Sequence, residues 1–190
     1  MARPRSEDKR NAILAAANAV FAELGTGAPT ARIAKQAGVA EGTLFTYFAT
    51  KDELLNQLYL TLKAELQEVM MSSYPKSKSV KSRLRHVWQT YLDWGVAQPQ
   101  KRKVMAQLGL SERVSAHSKA AGARAFAEVD ATLNESIASG LLRDHPSGFV
   151  AAIMGALADT TMDFMVREPA QAERYSSAGF EAFWNAIARK

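Results

Sequence analysis

Residues 30–51 read TARIAKQAGVAEGTLFTYFATK, two short helical patterns that meet at a single glycine and run into a third. In the first pattern Ile33, Ala34 and Ala37 recur at helical spacing, Thr30 stands where an N-cap belongs, and Arg32, Lys35 and Gln36 take the polar face. Gly38 closes it, because a residue without a Cβ accepts the left-handed backbone that ends a helix, and Val39 then packs back on the apolar side. The second pattern, about 41–48, turns Leu44, Phe45 and Phe48 inward and leaves Thr43, Thr46 and Tyr47 outward. Helices this short are marginal in water without a packed face, so the flanks must supply a core.

The flanks read as helices throughout. Ser6, followed by Glu7 and Asp8, predicts a capped helix start, and Ile13, Leu14, Ala17, Val20, Phe21 and Leu24 form a stripe that ends at Gly25. The expected core of this N-terminal unit is Ile13, Ala17, Val20, Phe21, Ile33, Ala37, Val39, Leu44 and Phe48. Residues 1–5, with Arg3, Pro4 and Arg5, read as a disordered basic arm. Beyond Lys51, the residues Leu54, Leu55, Leu58, Leu62, Leu66 and Val69 predict one long helix running to Met70 and Met71. A Lys- and Ser-rich loop at 75–79 leads to a helix carrying Val80, Leu84, Val87, Trp88, Tyr91 and Leu92, stopped at Pro99. A short segment with Val104, Met105 and Leu108 precedes a longer helix, about 111–139, that ends at Gly140.

Two last helices follow. Phe149, Val150, Ile153, Met154, Leu157, Thr161, Phe164 and Met165 alternate with Ala151, Ala152, Gly155, Ala156 and Ala158, small residues that let another helix approach. Phe180, Phe183, Trp184 and Ile187 then form an aromatic stripe. No strand signal is evident, so the fold class is all-α: a three-helix helix-turn-helix domain over 1–50 and a larger helical domain over 51–190.

Composition excludes several function classes. The 190 residues contain no cysteine, hence no disulfide framework and no thiolate metal site, and the three histidines, His86, His117 and His145, have no metal-ligand spacing. An enzyme would need a nucleophile, base or metal set, and none is expected here; no cofactor is expected either. No stretch offers about 18 uninterrupted apolar residues, and the polar, basic start is not followed by an apolar run, so neither a membrane span nor a secretory signal is expected and the cytoplasm is the expected location. A net charge of +5 favours a polyanionic partner; basic residues cluster at Arg3, Arg5, Lys9 and Arg10, at Arg32 and Lys35, at Lys76, Lys78, Lys81, Arg83 and Arg85, and at Lys101, Arg102 and Lys103, and only the first two clusters sit beside a motif that would use them.

The order of a long first helix, Thr-x-x-Ile-Ala, Ala-Gly-Val, Gly-Thr-Leu-Phe-x-Tyr-Phe and Lys-Asp-Glu-Leu-Leu resembles the DNA-binding domain of the TetR family of bacterial transcriptional regulators, over about residues 6–60. Short side chains at the start of the second short helix allow its backbone to approach base edges in a major groove about 12 Å wide. Glu41, Gly42 and Thr43 stand there: Thr43 suits a thymine methyl or a donated hydrogen bond, and Glu41 suits a cytosine amine while repelling phosphates. Thr46 and Tyr47 come next along the exposed face, and the resemblance assigns Tyr47 to phosphate. Thr30 and Lys51 add hydroxyl and ammonium contacts to the backbone, and Arg32 is the nearest basic group where some relatives carry a base-reading arginine at the Ala31 position. Phe45 stands where relatives most often have tyrosine, which leaves it packing alone, and Ala40 stands where serine often caps.

The resemblance also implies a homodimer through the two C-terminal helices, bound to a double-stranded DNA operator, and a small-molecule effector whose identity the sequence does not specify. Residues expected to line the effector site are Trp88, Tyr91, Trp94, Met105, Leu108, Phe126, Met154 and Met162, since aromatic and thioether groups line adaptable apolar pockets. The reading is therefore a ligand-responsive repressor released from a palindrome by a small molecule. The alternative is a helical ligand-binding or protein-interaction module without specific DNA binding.

Overall fold

A computed structural model describes residues 6–189; the basic arm expected at 1–5 lies outside the described residues. Among those described, ten α-helices and one 3-10 turn follow one another, and the only strand-like feature is an isolated antiparallel bridge between Leu142 and Ala188. The chain divides into two compact units, Met1–Glu65 with Gln98–Arg124, and Leu66–Ala97 with Ala125–Lys190.

The first unit holds α1 (Glu7–Leu24), α2 (Thr30–Gln36), α3 (Glu41–Tyr47), the first part of α4 (Lys51–Met71), α6 (Pro99–Leu110) and α7 (Ala116–Arg124). Its core is built where the apolar stripes meet: Ile13, Ala17 and Phe21 of α1, Ile33 of α2, Leu44 of α3, Phe48, and Leu54, Leu55 and Leu58 of α4 are all buried. Ala37 and Val39, expected in this core, are only partly covered because they lie in the turn itself. Phe45 departs further from expectation. It is 40% exposed, since a helix of seven residues has barely two turns and Leu44 already fills its inner face. α6 lies against α1, and Lys103 donates from Nζ to the Ala22 carbonyl (2.7 Å), satisfying one of the carbonyls that the last turn of α1 leaves open.

The long helix expected over 111–139 is two helices. Residues 111–115 form a loop, α7 follows, and α8 (Ala127–Ala138) begins after Phe126 leaves helical geometry at φ −108°, ψ 20°. Tertiary hydrogen bonds hold the loop: the Asn56 amide donates to the Arg113 carbonyl (3.0 Å) and accepts from the Ser115 N–H (2.9 Å), while the Asp52 carboxylate accepts from Arg113 Nε. Ser115 Oγ then accepts from the Ser118 N–H and starts α7. Neither Pro nor Gly marks the break at Phe126, and nothing in the structure explains it.

The second unit holds the rest of α4, α5 (Val80–Ala97), α8, α9 (Ser147–Arg167), a 3-10 turn (Pro169–Gln171) and α10 (Ala172–Ile187). Trp88 sits at its centre, 1% exposed, stacked on Phe183 and edge-on to Phe180, with its indole N–H donating to the Ser176 carbonyl (3.1 Å). α10 comes close to α5 and α9 at Gly179, where an added Cβ would stand 2.4 Å from Thr161 Oγ1 and 2.7 Å from the Trp88 ring. The end of the chain is pinned to the 141–143 loop: the Arg143 N–H donates to the Ile187 carbonyl (2.8 Å) and the Arg189 N–H to the Leu141 carbonyl (3.1 Å).

α9 is apolar over most of its circumference in its first three turns. Its most apolar 18-residue window has a mean hydropathy of 1.5, long and apolar enough to cross a membrane by length and composition, yet only 22% of that window is buried in the chain. Asp159 and Asp163 interrupt the run. Phe149, Phe164 and Val166, and the small residues Ala151, Ala152 and Ala156, are exposed rather than in a core. Val69 of α4, expected on that helix's inner stripe, is exposed as well.

Candidate nucleic-acid interface

The turn between α2 and α3 is made by backbone geometry that the sequence announces. Gly38 has φ +66°, its N–H donates to the Lys35 carbonyl, and the Val39 N–H reaches back to the Ala34 carbonyl (3.0 Å), the paired bonds that close a helix with a left-handed residue. α3 then starts at Glu41 with Ala40 as an N-cap that offers no side-chain bond, as its methyl dictates. With Leu44 and Phe48 buried, the outward face of α3 is Glu41, Gly42, Phe45 and Thr46, and Thr43 and Tyr47 flank it half-covered.

Several candidate residues are tied together on this unit. Thr30 is not the N-cap of α2; Pro29 holds that place, Thr30 is the first helical residue, and its hydroxyl donates to Glu41 Oε1 at 2.6 Å. A charge-assisted bond of this kind orients the Glu41 carboxylate and occupies the Thr30 proton that would otherwise meet a phosphate. Thr46 Oγ1 donates to the Gly42 carbonyl (3.1 Å) within α3. Tyr47 Oη accepts from the Ser6 N–H (3.0 Å), which directs its own proton elsewhere, outward to an acceptor such as a phosphate. Ser6 itself makes no side-chain cap on α1, contrary to expectation. Arg32 lies exposed on α2.

Lys51 opens α4, partly covered, with its ammonium 5.9 Å from the centre of the Phe21 ring. Burial pushes its pKa below the ordinary 10.5, the Arg113 guanidinium pushes the same way, and Asp52 opposes both. A phosphate beside it would favour the charged form. The start of α4 is held by a capping box not singled out from the sequence: the Glu53 N–H donates to Thr50 Oγ1 (3.0 Å) and Glu53 Oε2 accepts from the Ala49 N–H (2.8 Å). The spacing Thr-x-x-Glu at 50–53 was signal enough to find it.

Residues 13–58 match the family model described as bacterial regulatory proteins, tetR family. Over those residues the chain is similar to the TetR family of regulators. Its similarity to YhgD of Bacillus subtilis strain 168, described as an HTH-type transcriptional regulator, is 36% identity over 80 residues, 40% of this chain and 42% of that protein, so the match spans less than half of that curated relative. The chain is also similar to a solved structure described as a putative tetR family transcription regulator from Shewanella sp. PV-4, with a TM-score of 0.88 and 29% identity, covering 98% of this chain and 100% of the other. The fold is also that of FadR from Bacillus subtilis, solved in complex with stearoyl-CoA, with a TM-score of 0.73 and 22% identity over 92% of this chain and 97% of that one. The relatives named are transcription regulators, not enzymes.

The effector-site candidates fall in both units. Trp88, Tyr91 and Trp94 on α5 and Met162 on α9 are buried in the second unit, where Tyr91 and Trp94 stack at 6.4 Å and Phe126 and Met154 are partly covered. Met105 and Leu108 lie on α6, buried in the first unit. A groove of about 580 Å³ in the first unit runs between α1, Gln36 and the start of α6 at Pro99, Gln100 and Lys103, and none of the eight candidates lines it.

Proposed function

We propose that the chain is a homodimeric, ligand-responsive repressor that binds a palindromic operator in double-stranded DNA and leaves it when a small molecule binds. The observation that carries this reading is the outward face of α3, short-chained at Gly42 and flanked by Thr43, on a rigid glycine turn. In this reading residues 1–50 are the DNA-binding domain and 51–190 the effector-binding and dimerisation domain. Thr43 and Glu41 meet base edges, with Glu41 accepting from a cytosine amine, and Thr46 stands beside them. Arg32, Tyr47 and Lys51 hold phosphates through their side chains and Thr30 through its backbone N–H at the start of α2, its hydroxyl being bonded to Glu41; these contacts position the protein without reading sequence.

Dimerisation through α9 and α10 is supported by the exposed apolar length of α9 and its small residues. Two heads spaced by one helical turn, about 34 to 36 Å, read a palindrome, which one small head seldom does with enough affinity. Effector binding is assigned to the candidates of the second unit and to Met105 and Leu108; the acyl-CoA carried by FadR is a property of that protein and supports only the class of a small-molecule effector. The bonds from Asp52 and Asn56 to the 113–115 backbone and side chains give a route by which displacement of that loop pulls on the start of α4. An effector shifts the equilibrium by its difference in affinity for the two states, about 1 to 3 kcal/mol in a typical coupling. The cytoplasm is the compartment where such a protein meets its operator.

Selection of bound fragments from genomic DNA, followed by affinity measurements across salt concentrations with a scrambled duplex as control, tests the reading. A palindromic site bound well above the scrambled duplex is expected; binding that never exceeds the control overturns the repressor and leaves a helical module without specific DNA recognition.

A further inference from the structure

We infer that Phe45 is a further base-reading residue, its ring receiving the C5-methyl of a thymine in the major groove. The inference rests on the DNA-binding reading above and adds to it a side chain that sequence periodicity assigns to the interior. Phe45 is 40% exposed on a helix whose inner face is taken by Leu44, so part of its ring stands open on the outward side. It is the one large apolar side chain on an outward face otherwise made of Glu41, Gly42 and Thr46.

The surroundings specify what covers the ring. Gly42 lies three residues earlier, one turn back on the same face, and no atom stands within 4 Å of the place its Cβ would occupy, so a base edge can come in beside the ring against bare backbone. Thr46 commits its hydroxyl proton to the Gly42 carbonyl and Glu41 one carboxylate oxygen to Thr30, so the polar groups around the ring are already oriented. Phenylalanine has neither donor nor acceptor and gives no phosphate a hydrogen bond. Among the features of the major groove, the thymine methyl is the one read by apolar contact alone.

The test uses the full-length protein and the duplex recovered by selection. Each thymine is replaced singly by uracil, which removes the methyl and leaves the Watson–Crick pairing in place, and Kd is measured for the wild type and for Phe45→Ala. Circular dichroism establishes that the variant keeps its helix content, as an exposed site predicts. For the wild type, one thymine per half-site is expected to lose about fourfold on replacement, and about fifteenfold when both half-sites are changed together, the worth of one and two buried methyl groups. Phe45→Ala is expected to bind the thymine and uracil duplexes alike at that position. The inference is overturned if the wild type tolerates every replacement, which would place the ring on sugar or on nothing, or if Phe45→Ala still discriminates the same thymine. If the wild type prefers no duplex over the scrambled control, the DNA-binding reading fails first and this inference falls with it; a specific site without the uracil effect sinks this inference alone.

Discussion

At the scale of single residues, the proposed reading head separates side chains expected to hold DNA from side chains expected to read it. Lys51 combines a site on the DNA face with partial burial against Phe21 and proximity to Arg113, so its ammonium is less favoured before DNA arrives than in free solution. Lys51→Ala is expected to weaken binding to every sequence and to make the slope of log K against log salt shallower by about 0.9, measured by titration from low to moderate salt. An unchanged slope would take Lys51 off the phosphates. Thr43→Ala, by contrast, is expected to relax preference at one base position by about 1 to 3 kcal/mol with the salt slope intact, read from a panel of single-base operator variants. Tyr47→Phe removes the acceptor for the Ser6 N–H and is expected to cost about 1 kcal/mol in urea unfolding, besides the loss of a phosphate donor. That Thr46 faces outward on α3 was legible in the sequence because its side chain follows the helical spacing. The partners were not: the bond from Thr30 to Glu41 spans eleven residues and that from Ser6 to Tyr47 spans forty-one, and no local pattern encodes either.

At the scale of elements, glycine separates two physical roles. Gly38 and Gly140 end helices with φ of +66° and +77°, and both stops were legible because a glycine after the last apolar residue of a helical stripe is a chain-local signal. Gly179 is different, since its backbone is ordinary and its place is dictated by Thr161 and Trp88 on neighbouring helices. Gly179→Ala is expected to destabilise the protein by about 1 to 3 kcal/mol through overpacking. Gly42→Ala, in a helix with open space at its Cβ, serves as the control and is expected to leave stability unchanged or raise it by up to about 1 kcal/mol. Chemical denaturation of the two variants distinguishes packing from propensity; equal effects would mean the close approach at Gly179 is not real. The break that ends α7 lay beyond sequence reading, because the apolar pattern continues across Phe126 and the nearest glycine, Gly122, stands inside α7 and not at the break.

At the scale of the whole molecule, the exposed apolar face of α9 is the main apolar surface left uncovered among the described residues. Phe149 at 55% and Val166 at 56% exposure mark its two ends, with Ala152 and Ala156 exposed between them. Ala152→Glu is expected to convert a dimer to a monomer in analytical ultracentrifugation, with little loss of monomer helix content, because the site bears on no intrachain core. A dimer that survives the substitution would move the seam away from this face. The all-helical class, the turn at Gly38, the order of the reading-head helices and the aromatic stripe of α10 were determined by the sequence alone, since each rests on spacing within a few turns of one helix. Tertiary structure alone decided that Phe45 faces outward, that Asn56 holds the 113–115 loop and that α9 keeps much of its apolar surface uncovered. Those outcomes depend on which of several apolar or polar faces finds a partner first filled by another element. Periodicity tells that a face is apolar; only packing tells whether anything covers it, and the face of α3 around Phe45 and Gly42 is one that the described residues leave largely open.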